Sequence, residues 1–373
     1  MSCDFLTLAV DGVRLLQPYE PGKPIETLER ELGIRDSLKL ASNENPLGPS
    51  PLAMAAMQRQ LGKISVYPDG NGFALKAVLA DYHRVGRECV TLGNGSNEIL
   101  ELVARAFLRP ALNAVFSRHA FAVYSIVVQA VGATARVAQP NAPEHAMPFG
   151  HNLQALGKLV DGETRVVFVA NPNNPTGTWI NGAQLRQFIR ELPATTLVVV
   201  DEAYFEYVQA SDYPNAVAWL AEFPNLIVTR TFSKVYGLAG LRIGYGLSHP
   251  AVADLLNRVR QPFNTSSVAQ AAALAALDDA GHVARSREMN NAGLVQFAGA
   301  FEARGLSFIP SVGNFICVDV GRDASAVYQA LLREGVIVRP VASYELPEYL
   351  RVTIGREDQN RRVIDALDKV LSP

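Results

Sequence analysis

The sequence lacks the features of membrane, secreted and nucleic-acid-binding proteins. Its longest apolar stretches, such as residues 197–200, are only as long as a β-strand, which excludes a membrane-spanning helix. The N-terminus has no basic segment followed by a long apolar one, so we expect no signal peptide. Lysine- and arginine-rich runs are also missing and the net charge is −2, so neither nucleic acid nor an anionic membrane is an expected partner.

Cysteine is scarce, and its positions form no pattern. Cys3, Cys89 and Cys317 are far apart in the sequence and lack the spacing of metal ligands. Reduced thiols are typical of cytoplasmic proteins, whereas small secreted domains often use dense disulfides. We therefore expect a cytoplasmic protein without disulfide bonds and without a bound metal.

The length and the hydrophobic pattern predict an α/β protein. The chain has 373 residues, of which 49% are hydrophobic and 19% charged, as in a globular protein of about two domains. Up to about residue 245, short segments rich in valine and isoleucine alternate with helical patterns. The predicted strands are residues 89–92, 114–117, 165–170, 196–201 and 226–231. This alternation predicts a mainly parallel sheet covered by helices on both faces.

The pattern changes after residue 245. An alanine-rich helical region at 268–304, with a break at 278–281, precedes shorter strands and two further helices. This order is typical of an α+β unit. The predicted division is an N-terminal arm (1–45) that contributes to the small domain and a dimer contact, a large domain (46–260) and a small C-terminal domain (261–373).

Polar segments follow the predicted strands directly, and ligands of α/β sheets bind at the carboxyl ends of strands. The segment GNGSNE, residues 93–98, joins a strand to a helix, where glycines and free N–H groups favour an anion such as phosphate. It departs from the dinucleotide fingerprint G-x-G-x-x-G, and an ordinary turn capped by Ser96 explains it equally well.

Two further segments hold side chains suited to a ligand. In NPNNPTG, residues 171–177, the amide of Asn174 can donate to a ligand oxygen, although a rigid turn also explains the segment. Asp201 ends an apolar strand, where a carboxylate is costly unless it meets a partner. A structural salt bridge and a cationic group of a cofactor remain equal alternatives. Tyr204, three residues later, presents a hydroxyl to the same region.

Lys234 stands out among the lysines, most of which are expected to be solvated surface charges. It follows the strand at 226–231 and Ser233, and Arg242 lies eight positions further on between glycines. A lysine beside another cation in a desolvated pocket has a lowered pKa, which an imine-forming amine requires. The segment therefore indicates a reactive amine.

Together, GNGSNE, NPNNPTG, DEAY and SKVYGLAGLR occur in an order that resembles the fold-type I aminotransferases of classes I and II. The segment SNENPLGPSP (42–51) and the C-terminal VRP and LRVTIG make the chain most similar to the histidinol-phosphate aminotransferases. The resemblance implies the fold-type I architecture, with a large and a smaller domain, and pyridoxal 5'-phosphate as the cofactor. It covers nearly the whole chain.

The resemblance also implies roles for individual residues. Lys234 matches the lysine that binds the cofactor as a Schiff base and transfers the proton during catalysis. Asp201 matches the partner of the pyridine nitrogen, and Asn174 and Tyr204 match residues that bind the phenolic oxygen. The residues that match the family's phosphate site are Ser96, Asn97, Thr231, Ser233 and Arg242.

Further matches concern the cofactor ring and the oligomer. Phe121 matches the aromatic residue that stacks on the pyridine, where many relatives have tyrosine. Tyr67 matches a tyrosine that reaches the phosphate of the neighbouring subunit, which implies a homodimer with shared active sites.

The residues assigned to substrate binding are Tyr19, Asn45, Arg339 and Arg351. Arg351 matches the arginine that binds an α-carboxylate, and Arg339 and Tyr19 match a substrate-phosphate site. Alternatively, Arg339 pairs with a surface acid such as Glu345 or Glu348.

The implied activity is transfer of the amino group of L-histidinol phosphate to 2-oxoglutarate, giving imidazole acetol phosphate and L-glutamate in histidine biosynthesis. The alternatives are an aromatic amino-acid aminotransferase, a lyase or decarboxylase of the same fold, and a non-enzymatic cofactor-sensing regulator. Regulators of this fold carry an added DNA-binding module, for which no residues remain here.

Overall fold

The computed structural model describes residues 3–372. The α-helices are α1 (Phe5–Leu8), α2 (Asp11–Arg14), α3 (Ile25–Leu32), α4 (Pro51–Leu61), α5 (Phe73–His83), α6 (Ser96–Phe107), α7 (Val123–Ala130), α8 (Leu153–Lys158), α9 (Gly182–Glu191), α10 (Pro250–Val259), α11 (Ser267–Leu277), α12 (Ala280–Glu302), α13 (Ala324–Arg333) and α14 (Glu357–Leu371). The strands are β1 (Leu38–Lys39), β2 (Val90–Gly93), β3 (Asn113–Ser117), β4 (Thr134–Ala138), β5 (Thr164–Ala170), β6 (Leu197–Asp201), β7 (Leu226–Thr231), β8 (Gly244–Ser248), β9 (Phe308–Ile309), β10 (Phe315–Asp319), β11 (Val336–Ile337), β12 (Arg339–Val341) and β13 (Leu346–Thr353). Within the described part of the chain, no helix is both long and apolar enough to cross a membrane.

The largest sheet has seven strands in the order β2-β8-β7-β6-β5-β3-β4. Strands β7, β6, β5, β3 and β4 run parallel to one another, whereas β8 runs antiparallel to both β2 and β7. The prediction of a mainly parallel α/β sheet is confirmed.

Alternate residues of the central strands pack on opposite faces of this sheet. In β6, Val198 and Val200 belong to one hydrophobic cluster and Val199 to the other. Helices α5, α9 and α11 contribute side chains to the first cluster, and α6, α7 and α10 to the second. Because both faces are covered, the central strands β5, β6 and β7 are buried along nearly their whole length.

A second sheet of four antiparallel strands, in the order β12-β13-β10-β9, has its own core. Helices α12, α13 and α14 pack on it, and β1 pairs in parallel with β11, so the N-terminal segment joins this unit. We propose that the chain divides as predicted from its sequence, into 1–45, 46–260 and 261–373, with one adjustment. The alanines of α11 pack in the core of the large unit, so we assign that helix to it.

Candidate active site

A cavity of about 380 Å³ lies at the carboxyl ends of the central strands. Ala170 at the end of β5, Asp201 at the end of β6 and Thr231 at the end of β7 all line it. Since parallel strands bring their carboxyl ends to one edge of the sheet, the polar segments that follow these strands meet there.

Most of the residues predicted from the sequence line this cavity together. They are Tyr19, Ser96, Asn97, Phe121, Asn174, Asp201, Tyr204, Thr231, Ser233, Lys234, Arg242 and Arg351. Three other predicted residues, Asn45, Tyr67 and Arg339, do not line it.

Asp201 is a buried carboxylate with two hydroxyl partners. The Tyr124 hydroxyl donates to Oδ2 and the Thr229 hydroxyl donates to Oδ1, each at 2.9 Å. Among residues 3–372 it forms no salt bridge, and burial raises its pKa even though these hydrogen bonds act in the opposite direction. A cationic ligand group would supply the ionic partner that this carboxylate does not have among the described residues.

Lys234 is the amine of the site. Its Nζ donates to the backbone oxygen of Ser42 at 3.2 Å and lies 5.6 Å from the centre of the Tyr204 ring. Burial, and secondarily the positive charge of Arg351, lower the pKa of Lys234 from 10.5 to about 8. A substantial fraction of this amine is therefore neutral, and so nucleophilic, near neutral pH.

An anion cradle, formed by Gly95, Ser96, Ser233 and Arg242, lies at the start of α6. Among the described residues no side chain caps this helix start at Gly95, so its first N–H groups are left for an anion, and Ser96 and Asn97 of the first turn line the cavity. Arg242 has a left-handed backbone, with φ of +52°, and its Nη1 donates to the Ala239 oxygen at 3.0 Å. A Cβ atom on Gly95 would lie 2.6 Å from Nη2 of Arg242, so only glycine allows this approach.

Arg351 lies on β13 and is almost fully buried. Its Nη1 donates to Oδ1 of Asn174 and its Nη2 to the Ala41 oxygen at 2.8 Å. Nε is buried without a hydrogen-bond partner among the described residues. With Oδ1 of Asn174 occupied by the guanidinium, the amide nitrogen of Asn174 is the group left to donate to a ligand.

Arg339 lies beside the cavity wall. It is the register partner of Arg351 across β12 and β13, which places both side chains on the same face of the sheet. Its Nη2 donates to the Glu20 oxygen at 2.6 Å, and its guanidinium lies 5.6 Å from the centre of the Tyr19 ring. Of the two acids considered as its partner, Glu345 instead pairs with Arg118 at 3.4 Å, and Glu348 forms no salt bridge with Arg339 among the described residues.

Asn45 and Tyr67 lie further from the cavity. The side chain of Asn45 is buried and donates to the Val235 oxygen at 2.7 Å and to the Ser286 hydroxyl at 2.8 Å. Tyr67 is 78% exposed and stacks on Phe263 with 4.6 Å between ring centres. Neither side chain reaches the cavity of its own chain.

Sequence reasoning missed several residues of the site. Ser42, Asn43, Val123 and Ile126 line the cavity, and Tyr124 holds Asp201. A signal for Tyr124 was available, because it follows the aromatic position 121 by only three residues, and the two rings pack edge to face with 5.9 Å between their centres.

Comparisons with known proteins agree with this geometry. The chain matches the family described as aminotransferase class I and II over residues 35–367. It is similar to histidinol-phosphate aminotransferase 2 of Pseudomonas fluorescens strain Pf-5, at 59% identity covering 100% of both chains, and to the protein of the same name from Pseudomonas aeruginosa, at 58% identity covering 99% of each.

The crystal structure of histidinol-phosphate aminotransferase from Sinorhizobium meliloti in complex with pyridoxal-5'-phosphate is also similar. It superposes with a TM-score of 0.86 at 30% identity, covering 94% of this chain and 95% of that one. The resemblance of the motifs is confirmed by these matches. The chain therefore belongs to the class I and II aminotransferase family.

Proposed function

We propose that this protein is a pyridoxal 5'-phosphate-dependent aminotransferase that transfers the amino group of L-histidinol phosphate to 2-oxoglutarate. One observation carries the proposal. The amine of Lys234, with its lowered pKa, shares one cavity with a buried carboxylate and an anion cradle.

The residues present fit this cofactor. Its phosphate would take the anion cradle at the start of α6, where Gly95 leaves room for Arg242. Its protonated ring nitrogen would supply the ionic partner that Asp201 lacks in the part of the chain that the structure describes. Phe121 offers an aromatic face on the cavity wall, and Lys234 is the residue that would hold the aldehyde carbon.

The chain's own residues then bind, orient and move a proton. The cofactor supplies an electron sink for the charge that develops on the substrate's Cα. In the first half-reaction, Nζ of Lys234 takes the proton from Cα of the amino donor. In the second half-reaction, it gives a proton to Cα of the amino acid product. Asp201 would keep the ring nitrogen protonated, and Asn174 and Tyr204 would donate to the phenolic oxygen.

The substrate assignment is supported by the two arginines. The relatives at 58–59% identity are named for histidinol phosphate, a phosphate ester without an α-carboxylate. We propose that Arg339 and Tyr19 bind its phosphate, and that Arg351, with its unpartnered Nε, binds the α-carboxylate of 2-oxoglutarate or glutamate. Two guanidiniums on one face of a sheet are stabilised by anions of this kind.

We also propose that the protein is a cytoplasmic homodimer in which Tyr67 contributes to the partner subunit's site. Large apolar side chains in the segment around Tyr67 and at its stacking partner are exposed, as expected of an interface between subunits. They are Leu61, Ile64, Val66, Tyr67 and Phe263. The three cysteines are free thiols, in keeping with a reducing compartment.

Side-by-side assays test the substrate. Purified protein reconstituted with pyridoxal 5'-phosphate should turn over histidinol phosphate with a higher kcat/KM than phenylalanine or phosphothreonine. Arg339→Gln should lower kcat/KM for histidinol phosphate by about 30-fold or more, because losing a partly buried charged contact costs about 2–5 kcal/mol, while phenylalanine is affected far less. Arg165→Gln, at a half-buried arginine whose side chain bonds to the backbone oxygens of Gly162 and Thr164, is the matched control.

Two results would contradict these assignments. An equal loss for both amines in Arg339→Gln would remove Arg339 from the substrate site. If the wild-type enzyme prefers phenylalanine, the substrate is an aromatic amino acid and not histidinol phosphate. The assignment as an aminotransferase would be unaffected.

A further inference from the structure

Asn43 connects the N-terminal segment, strand β13 and the cavity through a chain of buried hydrogen bonds. Its backbone N–H donates to Oγ1 of Thr353 at 2.9 Å, and the Thr353 hydroxyl donates to Oδ1 of Asn43 at 3.1 Å. The Nδ2 atom of Asn43 donates to the Tyr204 hydroxyl at 2.9 Å. Asn43 and Thr353 are both almost fully buried, so solvent does not compete for these bonds.

The direction of each hydrogen bond follows from the chemistry of the groups. A backbone N–H can only donate, so the Thr353 oxygen accepts from Asn43, and its single hydrogen needs an acceptor. Oδ1 of Asn43 is that acceptor in the structure. A flipped amide would leave the buried hydroxyl hydrogen of Thr353 without an acceptor among the described residues, so the amide nitrogen is the group that faces Tyr204.

The same reasoning applies to Tyr204. Its hydroxyl oxygen accepts from Asn43, so its one hydrogen is left for a different acceptor. Burial raises the pKa of Tyr204, more than Arg351 lowers it, so the hydroxyl keeps its proton and remains a donor. Because Tyr204 lines the cavity, the available acceptor is an oxygen of the ligand.

We propose that Asn43, oriented by Thr353, is a positioning residue that fixes the Tyr204 hydroxyl as a hydrogen-bond donor into the cavity. The inference rests on the proposed function, in which the acceptor is the phenolic oxygen of the cofactor. Thr353 lies two residues after Arg351 on β13, and Arg351 occupies Oδ1 of Asn174. One strand of the second sheet thus sets the direction of both donors, Tyr204 and Asn174.

The variant Asn43→Asp tests the direction of the bond. Aspartate has the same shape and tolerates the left-handed backbone of position 43, where φ is +55°. Its carboxylate can only accept, so the Tyr204 hydroxyl would donate to it and be lost to the ligand. A donor favours the deprotonated form of the phenolic oxygen, so its loss should raise the midpoint of the pH titration of the bound cofactor's visible absorbance by about 1.

Comparison with Tyr204→Phe separates this effect from that of the added negative charge, which would also raise the midpoint. If Asn43 acts through Tyr204, Asn43→Asp and Tyr204→Phe each raise the midpoint, and the double variant shows clearly less than the sum of the two. Thr353→Val, which adds no charge, should raise the midpoint in the same direction, whereas Thr353→Ser keeps the hydroxyl and the wild-type value. The charged groups already present around Tyr204, on Arg351, Asp201 and Lys234, are unchanged in all of these variants.

The outcomes distinguish this inference from the proposed function. Additive shifts in the double variant, or a wild-type midpoint in Thr353→Val, would overturn the role of Asn43 while leaving the cofactor in place. Wild-type protein without visible absorbance after reconstitution would overturn the proposed function and this inference with it.

Discussion

Lys234 owes its chemistry to neighbours that come from distant parts of the chain. The Ser42 oxygen accepts its only hydrogen bond among the described residues, and Arg351 and Arg242 add positive charge nearby. Burial and these charges favour the neutral amine. The sequence around position 234 predicted a reactive lysine, because Ser233, Lys234 and Arg242 follow the strand within one short segment and so form a local pattern.

Other residues of the site could not be predicted in this way. Asn43 meets Tyr204 across 161 positions, and Tyr124 meets Asp201 across 77, so neither pair leaves a local pattern. An amide in a polar segment is typical of a turn, and a tyrosine within an apolar helix is typical of a core. Only the fold brings these partners together.

The lowered pKa of Lys234 predicts how cofactor binding depends on pH. Only the neutral amine attacks an aldehyde, so the rate of reconstitution of the apoenzyme with pyridoxal 5'-phosphate should rise through a midpoint near pH 8 and then level off. Stopped-flow absorbance at a series of pH values measures this. A rate that still climbs at pH 10, as for an ordinary lysine, would contradict the desolvated environment.

Among the elements, the sequence predicted the strands of the large sheet that are rich in valine and isoleucine and missed β8 and β4. Strand β7 has the predicted bounds, Leu226–Thr231. Strand β8 was missed because two of its five residues are glycines, which weaken a strand pattern. The edge strand β4 was missed because most of its side chains are exposed or half-buried.

The start of α6 depends on a glycine with a positive φ. In Gly95→Ala, the added Cβ would clash with Arg242. The backbone φ of +77° at this position also strains residues other than glycine by about 1–3 kcal/mol. We expect the Kd for pyridoxal 5'-phosphate to rise about tenfold or more, since 1.4 kcal/mol corresponds to a factor of ten. Equilibrium titration of the apoenzyme by fluorescence measures this.

Gly62→Ala is the matched control for that variant. Gly62 ends α4 with a negative φ, and an added Cβ meets nothing within 4 Å. An unchanged Kd in Gly95→Ala, or an equal rise in both variants, would show that the anion cradle does not hold the phosphate.

In the whole molecule, the cavity is lined by segments that are far apart in the sequence, so no local sequence pattern indicates that they meet. The central sheet supplies Asp201 and Thr231, strand β13 of the second sheet supplies Arg351, and the N-terminal segment supplies Tyr19 and Ser42. The fold class followed from the alternation of helices and strands together with the family motifs. The position of β8 between β2 and β7 could not be predicted from the sequence, because the pairing order of strands depends on long-range contacts.

The proposed dimer predicts complementation between inactive variants. Tyr67→Ala removes a side chain that does not reach its own cavity, and Lys234→Ala removes the amine of each site. Mixed dimers should regain activity, because one of their two sites keeps both Lys234 and the partner subunit's Tyr67. If mass spectrometry shows that the subunits have exchanged and activity still does not recover, the shared site is contradicted. Sedimentation of the protein as a monomer would contradict it as well.

The central claim is that Lys234 holds pyridoxal 5'-phosphate. The most direct measurement is borohydride reduction of the reconstituted protein, followed by proteolysis and mass spectrometry of the labelled peptide. The account predicts loss of the visible absorbance and a single stable label on Lys234, absent in Lys234→Ala. A label on another lysine, or no label on protein that retains bound cofactor, would contradict it.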